Sequence, residues 1–200
     1  MTAIPDSPSR NPLAALDARR SVPARKLAEP GPTAAELRRM LASAVRVPDH
    51  GRREPYRFLS ITGDARHVLG QAVAARGREL HPDAGPAAVD KDRARFSHAP
   101  LVVVVVAVLD PEDAAIPGQE RLLTAGCACF ALLQAAQGLG FGATWLTGWP
   151  AYDPAVQALL GLGTHERVAG FIHIGTPTSE PPERARPDAA ALLREWVPPA

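Results

Sequence analysis

The 200-residue sequence predicts one compact domain of the α/β or α+β class. Three observations carry that expectation: a 46% hydrophobic composition, a nine-residue aliphatic run at 101–109, and a helix-length apolar segment at 119–138. A chain of this length buries roughly 70% of its unfolded surface, so neither disulfides nor a structural metal is required to hold a core together. The domain is expected over residues 11–200, behind a flexible leader at 1–10.

The elements follow in order. Asn11 and Pro12 supply an N-cap and a first-turn proline for a short helix carrying Leu13 and Leu16, which ends near Arg19 or Arg20. Thr33 and Glu36 form a capping box, and Leu37, Met40, Leu41, Ala44 and Val45 fall on one helical face that must end before Pro48. "YRFLSI" at 56–61 alternates as a strand. Gly63-Asp64 then turns the chain into a helix with Val68, Leu69, Ala72 and Val73 inward, and a charged helix follows at about 86–97.

Pro100 and Asp110-Pro111 bracket "LVVVVVAVL", whose β-branched residues and short length predict a central strand buried on both faces. The segment from Gln119 to Gly138 is apolar nearly all round, which fits either a central core helix or a subunit interface. "FGATWLT" at 141–147 reads as a strand, "DPAVQALLG" at 153–161 as a helix with an Asp cap and a Gly stop, and "RVAGFIHIG" at 167–175 as a third strand. The proline-rich tail from 176 holds only a short "DAAALLREW" helix and is expected to wrap a surface.

Several function classes lose support here. The net charge is +1, which gives no general electrostatic case for nucleic acid or membrane binding. The aliphatic run is far shorter than the ~20 residues that span a bilayer, and "MTAIPDSPSRNP" has prolines and polar residues where a signal peptide needs an apolar run, so a cytoplasmic protein is expected. Cys127 and Cys129 would diverge by roughly 200° on a helix and read as core packing. The glycine cluster "GLGFG" at 138–142 follows a helix and precedes a strand, the reverse of a dinucleotide fingerprint. His50, His67, His81, His98, His165 and His173 show no ligand spacing, so no metal site is expected.

What remains is local basic character: Arg19-Arg20-Ser21 at a helix exit, Arg46 and His50 in "RVPDHGRREPY", and Arg184 and Arg186 in the tail. A phosphomonoester carries about −1.5 to −2 charge near neutral pH. Arginine offers it a planar fork of donors and serine a hydroxyl. On these residues alone, an anion site and a set of solvated charges stand level.

The order "RRS" to "LAEP", a capped helix, "RVPDH" before a strand, Arg93-Ala94 to "FSHAPLVVVV", "AGCA", "GFGATW" and "VAGFIHIGTP" resembles the nitroreductase-like flavoproteins, closest to a small bacterial subgroup of NAD(P)H nitroreductases. The resemblance runs over residues 12–188. It implies an α+β fold with a central mixed sheet flanked by helices, in an intertwined homodimer that binds FMN at the subunit interface.

It further implies an FMN-dependent oxidoreductase that takes electrons from NADH or NADPH and passes them to nitroaromatic, quinone-like or related small acceptors by a ping-pong mechanism. The alternatives are a flavin-binding protein of this fold with little turnover, or a different flavin-dependent reaction. By motif position, Arg19, Arg20, Ser21 and Arg186 would take the FMN phosphate and its polar surroundings. Arg46 and His50 would contact the flavin, and Trp145, Leu146 and Thr147 would lie along its ring. No catalytic side chain is implied, because FMN carries the chemistry.

Three departures from the pattern stand out. Two extra residues separate "RRS" from "LAEP", Leu146-Thr147 replaces an Arg-Ser pair, and "REPY" stands where Gln-Pro-Trp is common. Glu54 would then place a carboxylate near the substrate cleft and favour cationic or neutral acceptors.

Overall fold

The computed structural model describes residues 12–199; the expected leader and the Asn11 cap lie outside the described residues. Helices are α1 (Pro12–Asp17), α2 (Ala34–Ala44), α3 (Asp64–Leu80), α4 (Pro86–Ala94), α5 (Gly118–Gly138), α6 (Pro154–Leu159) and α7 (Ala189–Leu192). Strands are β1 (Leu27–Ala28), β2 (Tyr56–Thr62), β3 (Leu101–Val108), β4 (Gly142–Leu146) and β5 (Glu166–Pro177).

In space the strands run β2-β3-β5-β4, and β1 adds at the C-terminal end of β5. All pairings among the described strands are antiparallel, so the expected mixed sheet is corrected to an antiparallel one. The cause lies in the connections. One helix, α5, links β3 to β4 and leaves them pointing the same way, as in any single-helix crossover. But β5 enters between them and is antiparallel to both, so no parallel pair forms. Two helices, α3 and α4, link β2 to β3 as a hairpin that runs out and back, and these two strands therefore pair antiparallel.

Period-two alternation on β3 splits the core into two layers. Leu101, Val103 and Val105 face α2 and α5 with Ile172, Ile174, Met40 and Leu132. Val102, Val104 and Val106 face α3, Phe96 and α6 with Phe171, Leu69 and Val73. The β3 residues from 101 to 107 are all buried, as the valine run predicts. A bulge between Val105 and Val106 lets Ala169 stand as an extra residue on β5. Val168 and Phe171, three apart, thereby reach the same layer, which an unbroken strand would forbid.

Local signals behave as physical chemistry requires. The Glu36 N–H donates to Thr33 Oγ1 at 3.2 Å and the Thr33 N–H to Glu36 Oε2 at 2.8 Å, closing the capping box of α2. Asp153 Oδ1 accepts from the Val156 N–H at 3.0 Å and starts α6. Two expected inward residues are corrected. Val45 caps the end of α2 and is exposed, and Val68 is exposed because α3 packs against α4 through Gly70 and Gly77. A Cβ at Gly70 would overlap the Arg93 carbonyl, so the small-residue side of α3 turns inward and carries Val68 outward.

Candidate functional site

β4 is an edge strand, and its last residues end in the open. Trp145 pairs with Ile172 across β5, and its indole N–H donates to the Ala169 carbonyl at 3.1 Å, the carbonyl of the residue that the bulge adds. A Cβ at Gly170 would overlap the indole, so glycine there is what lets the ring lie against β5. Held in this way, Trp145 separates two depressions and lines both.

On the α4 side lies a cavity of about 620 Å³ lined by Ser21, Arg25, Lys91, Arg95, His98, Thr144, Trp145, Leu146 and Arg184 among others. Its described lining holds three arginines, a lysine and a histidine and no carboxylate. In a chain of net charge +1 this is a local concentration of positive potential, facing a low-dielectric wall that strengthens it. The Arg95 guanidinium donates through Nη2 to Asp92 at 2.9 Å, while its buried Nε has no hydrogen-bond partner among the described residues.

Behind Thr144, directly across the β4–β5 pair, stands His173, fully buried with both ring nitrogens unpartnered among the described residues. It stacks on Phe96 with ring centroids 6.1 Å apart. Burial, followed by the charges of His98 and Arg95, lowers its pKa to about 4, so the ring is neutral at physiological pH.

On the α5 side a wider depression of about 840 Å³ is lined by Arg46, Val47, Leu123, Cys127, Phe130 and Trp145 among others. It is apolar with one cation. Leu123 and Phe130 are 62% and 40% exposed, which leaves a hydrophobic helix face uncovered by its own chain.

The residues expected from sequence are thus distributed. Ser21, Trp145 and Leu146 meet in the basic cavity, with Thr147 half-buried immediately after them. Arg46 joins Trp145 in the apolar depression. Arg19 and Arg20 line a smaller pocket of about 210 Å³ beside Gly142 and Pro181, and Arg19 Nη1 donates to Ser21 Oγ at 3.1 Å. Arg186 reaches that region by donating to the Arg19 carbonyl at 3.4 Å. His50 stands apart, its Nδ1 2.7 Å from Glu120 Oε2.

Sequence reading missed Arg25, Lys91, Arg95 and His98, and it noted Arg184 without placing it. One signal was present: Lys91 and Arg95 are four apart, hence on one helical face, and His98 follows within a turn. Glu54 is exposed at φ 49°, its N–H bonded to Asp49 Oδ2 at 2.8 Å.

Comparison with known proteins gives a consistent picture. The nitroreductase family model matches residues 16–176. "Putative NAD(P)H nitroreductase YdjA" of Escherichia coli K12 is 36% identical over 158 residues, covering 77% of this chain and 82% of YdjA. A Haemophilus influenzae protein of the same description is 36% identical over 152 residues, covering 76% and 82% of the two chains. Among solved structures, a nitroreductase-like family protein from Bacillus cereus superposes with a TM-score of 0.77 at 23% identity, over 98% of both chains. A Desulfovibrio desulfuricans protein described as a "putative nitroreductase in complex with FMN" gives 0.73 at 22% identity, over 95% and 99%.

Proposed function

The chain belongs to the nitroreductase family, and from that premise we propose that it is an FMN-dependent oxidoreductase. It takes electrons from NADH or NADPH and passes them to nitroaromatic, quinone-like or related small acceptors. The observation that carries this reading is the basic cavity at the edge of β4. Four permanent cations and no carboxylate among the described residues line it, and none of those residues supplies an acceptor to the Arg95 Nε. A phosphate-bearing, electron-rich ring system fits both properties, and about 620 Å³ lies in the range of small-molecule and cofactor pockets.

In this reading Arg19 and Ser21, with Arg25, Arg184 and Arg186, hold the phosphate and its polar surroundings. Trp145, Leu146 and Thr147 line the ring. Lys91 and Arg95 would place positive charge beside the bound ring, with the His98 imidazole next to them. When bound, FMN supplies reversible two-electron redox chemistry. The chain's part is binding, orientation and electrostatics: fixed cations in a partly dry wall stabilise the negative charge that accumulates on reduction. Trp145, clamped between the Ala169 carbonyl and Gly170, sets one boundary of the cleft without needing a titrating group. Donor and acceptor would occupy the same open depression in turn, as a ping-pong mechanism requires.

We further propose a homodimer built on the outer face of α5. Leu123 and Phe130 are exposed there beside Cys127, an apolar surface of the kind that marks subunit contacts. In a two-fold dimer the same face serves both chains, so Arg46 and His50 of one chain close the cleft of the other.

The test is a spectrum. The purified protein should carry or take up FMN, bleach under anaerobic NADH or NADPH, and recover its colour when a quinone or nitroaromatic acceptor is added. A colourless protein that takes up no added FMN sinks the reading.

A further inference from the structure

The tail beyond residue 176 lies outside the family match, yet it reaches both basic clusters. Glu183 pairs through Oε2 with Arg20 Nη2 and through Oε1 with Arg186 Nη2 at 3.0 Å. Arg20 is committed on its other side as well: Nη1 donates to the Asp17 carbonyl at 2.7 Å and to the Arg19 carbonyl at 3.2 Å. Its guanidinium therefore joins the end of α1 to the tail, and its charge is answered by a carboxylate. Arg186 adds a second tie through the Arg19 carbonyl. Between the two tied positions sits Arg184, which lines the basic cavity. Glu183 and Arg184 are adjacent, so tying Glu183 to Arg20 restrains the backbone that carries Arg184 at the cavity wall.

We infer that Glu183 and Arg20 form a latch that positions Arg184 as a wall of the basic cavity, and that the latch residues do not themselves touch the bound anion. This changes the role expected for Arg20 from phosphate contact to positioning residue. The inference rests on the reading that the cavity binds FMN.

The experiment compares wild type with Glu183→Gln, Arg20→Gln, Arg184→Gln and the Glu183→Gln/Arg184→Gln double variant. Two readouts are used: FMN affinity by quenching of flavin fluorescence, and, in the proteins that keep Arg184, the rate of tryptic cleavage of the Arg184-Ala185 bond in the absence of flavin. Partly exposed ion pairs contribute modestly, so Glu183→Gln and Arg20→Gln should each weaken FMN binding about three- to fivefold and speed cleavage. Arg184→Gln should weaken binding about tenfold, because a charge-assisted contact is lost outright. The double variant should bind no worse than Arg184→Gln alone, since the latch acts only through that arginine.

If Glu183→Gln binds FMN as tightly as wild type or more tightly while Arg184→Gln is weakened, Glu183 is idle or competes with the ligand, and the latch is overturned. If no variant and no wild type binds FMN, the flavin reading falls instead. The latch is then judged by cleavage alone: faster proteolysis of Arg20→Gln, whose substitution lies far from the cut bond, supports it, and an unchanged rate overturns it.

Discussion

The two long faces of α5 are both apolar, yet they have opposite fates. Ala128, Cys129 and Leu132 are fully buried against the sheet, whereas Leu123 and Phe130 on the other side stay open. Hydrophobic character is the same on both; what differs is whether this chain has anything left to cover them with. The inner face is spent on the fold. The outer face is free for assembly, and it lies beside the cleft at Trp145. A helix without a wet face is thus one surface buried in the fold and one that the proposed dimer would cover, and energetic tests can separate them.

The largest effect belongs to the inner face. Leu132→Ala should lower unfolding free energy by about 2–5 kcal/mol, read from a denaturant midpoint, because a buried leucine leaves a cavity behind. A loss below ~1 kcal/mol would break the contrast at once.

Next is the buried polar group in the other core layer. His173 titrates near 6.5 in the unfolded chain and, held neutral by burial, near 4 in the folded one. The unfolded state therefore binds the proton first as pH falls. Stability is full above about pH 6.5 and declines toward pH 4, by up to about 3 kcal/mol from this group. His173→Leu should flatten that part of the profile in denaturant titrations at pH 7 and 4.5.

The two cysteines sharpen the comparison at smaller scale. Burial pushes the Cys129 thiol up to about 12. Cys129→Ser, which places a hydroxyl in that site, should cost about 1–3 kcal/mol. Cys127→Ser on the outer face should stay within about 0.5 kcal/mol.

The smallest change in folding energy, and the largest in assembly, is expected from Leu123→Glu. Monomer stability should hold within about 0.5 kcal/mol while sedimentation shifts from two chains to one. A wild-type protein that sediments as one chain would remove the dimer reading and leave the outer face unexplained.

Much of this was legible in the sequence. The valine run, the capping box at Thr33 and Glu36 and the Asp153 cap are local signals, decided by periodicity and by single hydrogen bonds. Ser21, Trp145 and Leu146 were found because motif order carried them to the same edge of the sheet. Arg25 was hidden by the two-residue extension after "RRS". Lys91 and Arg95 looked like the wet side of a charged helix, since nothing local tells a solvated arginine from one facing a cavity. Within one chain His50 pairs with Glu120, a partner 70 residues away that no local pattern points to.

By itself, then, the sequence determined the order and kind of nearly all elements, the burial of β3 and the family. Tertiary structure alone decided that β5 enters between β3 and β4, making the sheet antiparallel, and that the bulge at Ala169 frees a carbonyl for Trp145. It also decided that five cationic or imidazole side chains from three separate segments share one cavity. The reason is range. Periodicity and caps act within a few residues, whereas strand neighbours and cavity walls are fixed by packing between segments up to 160 residues apart, as Arg25 and Arg184 are.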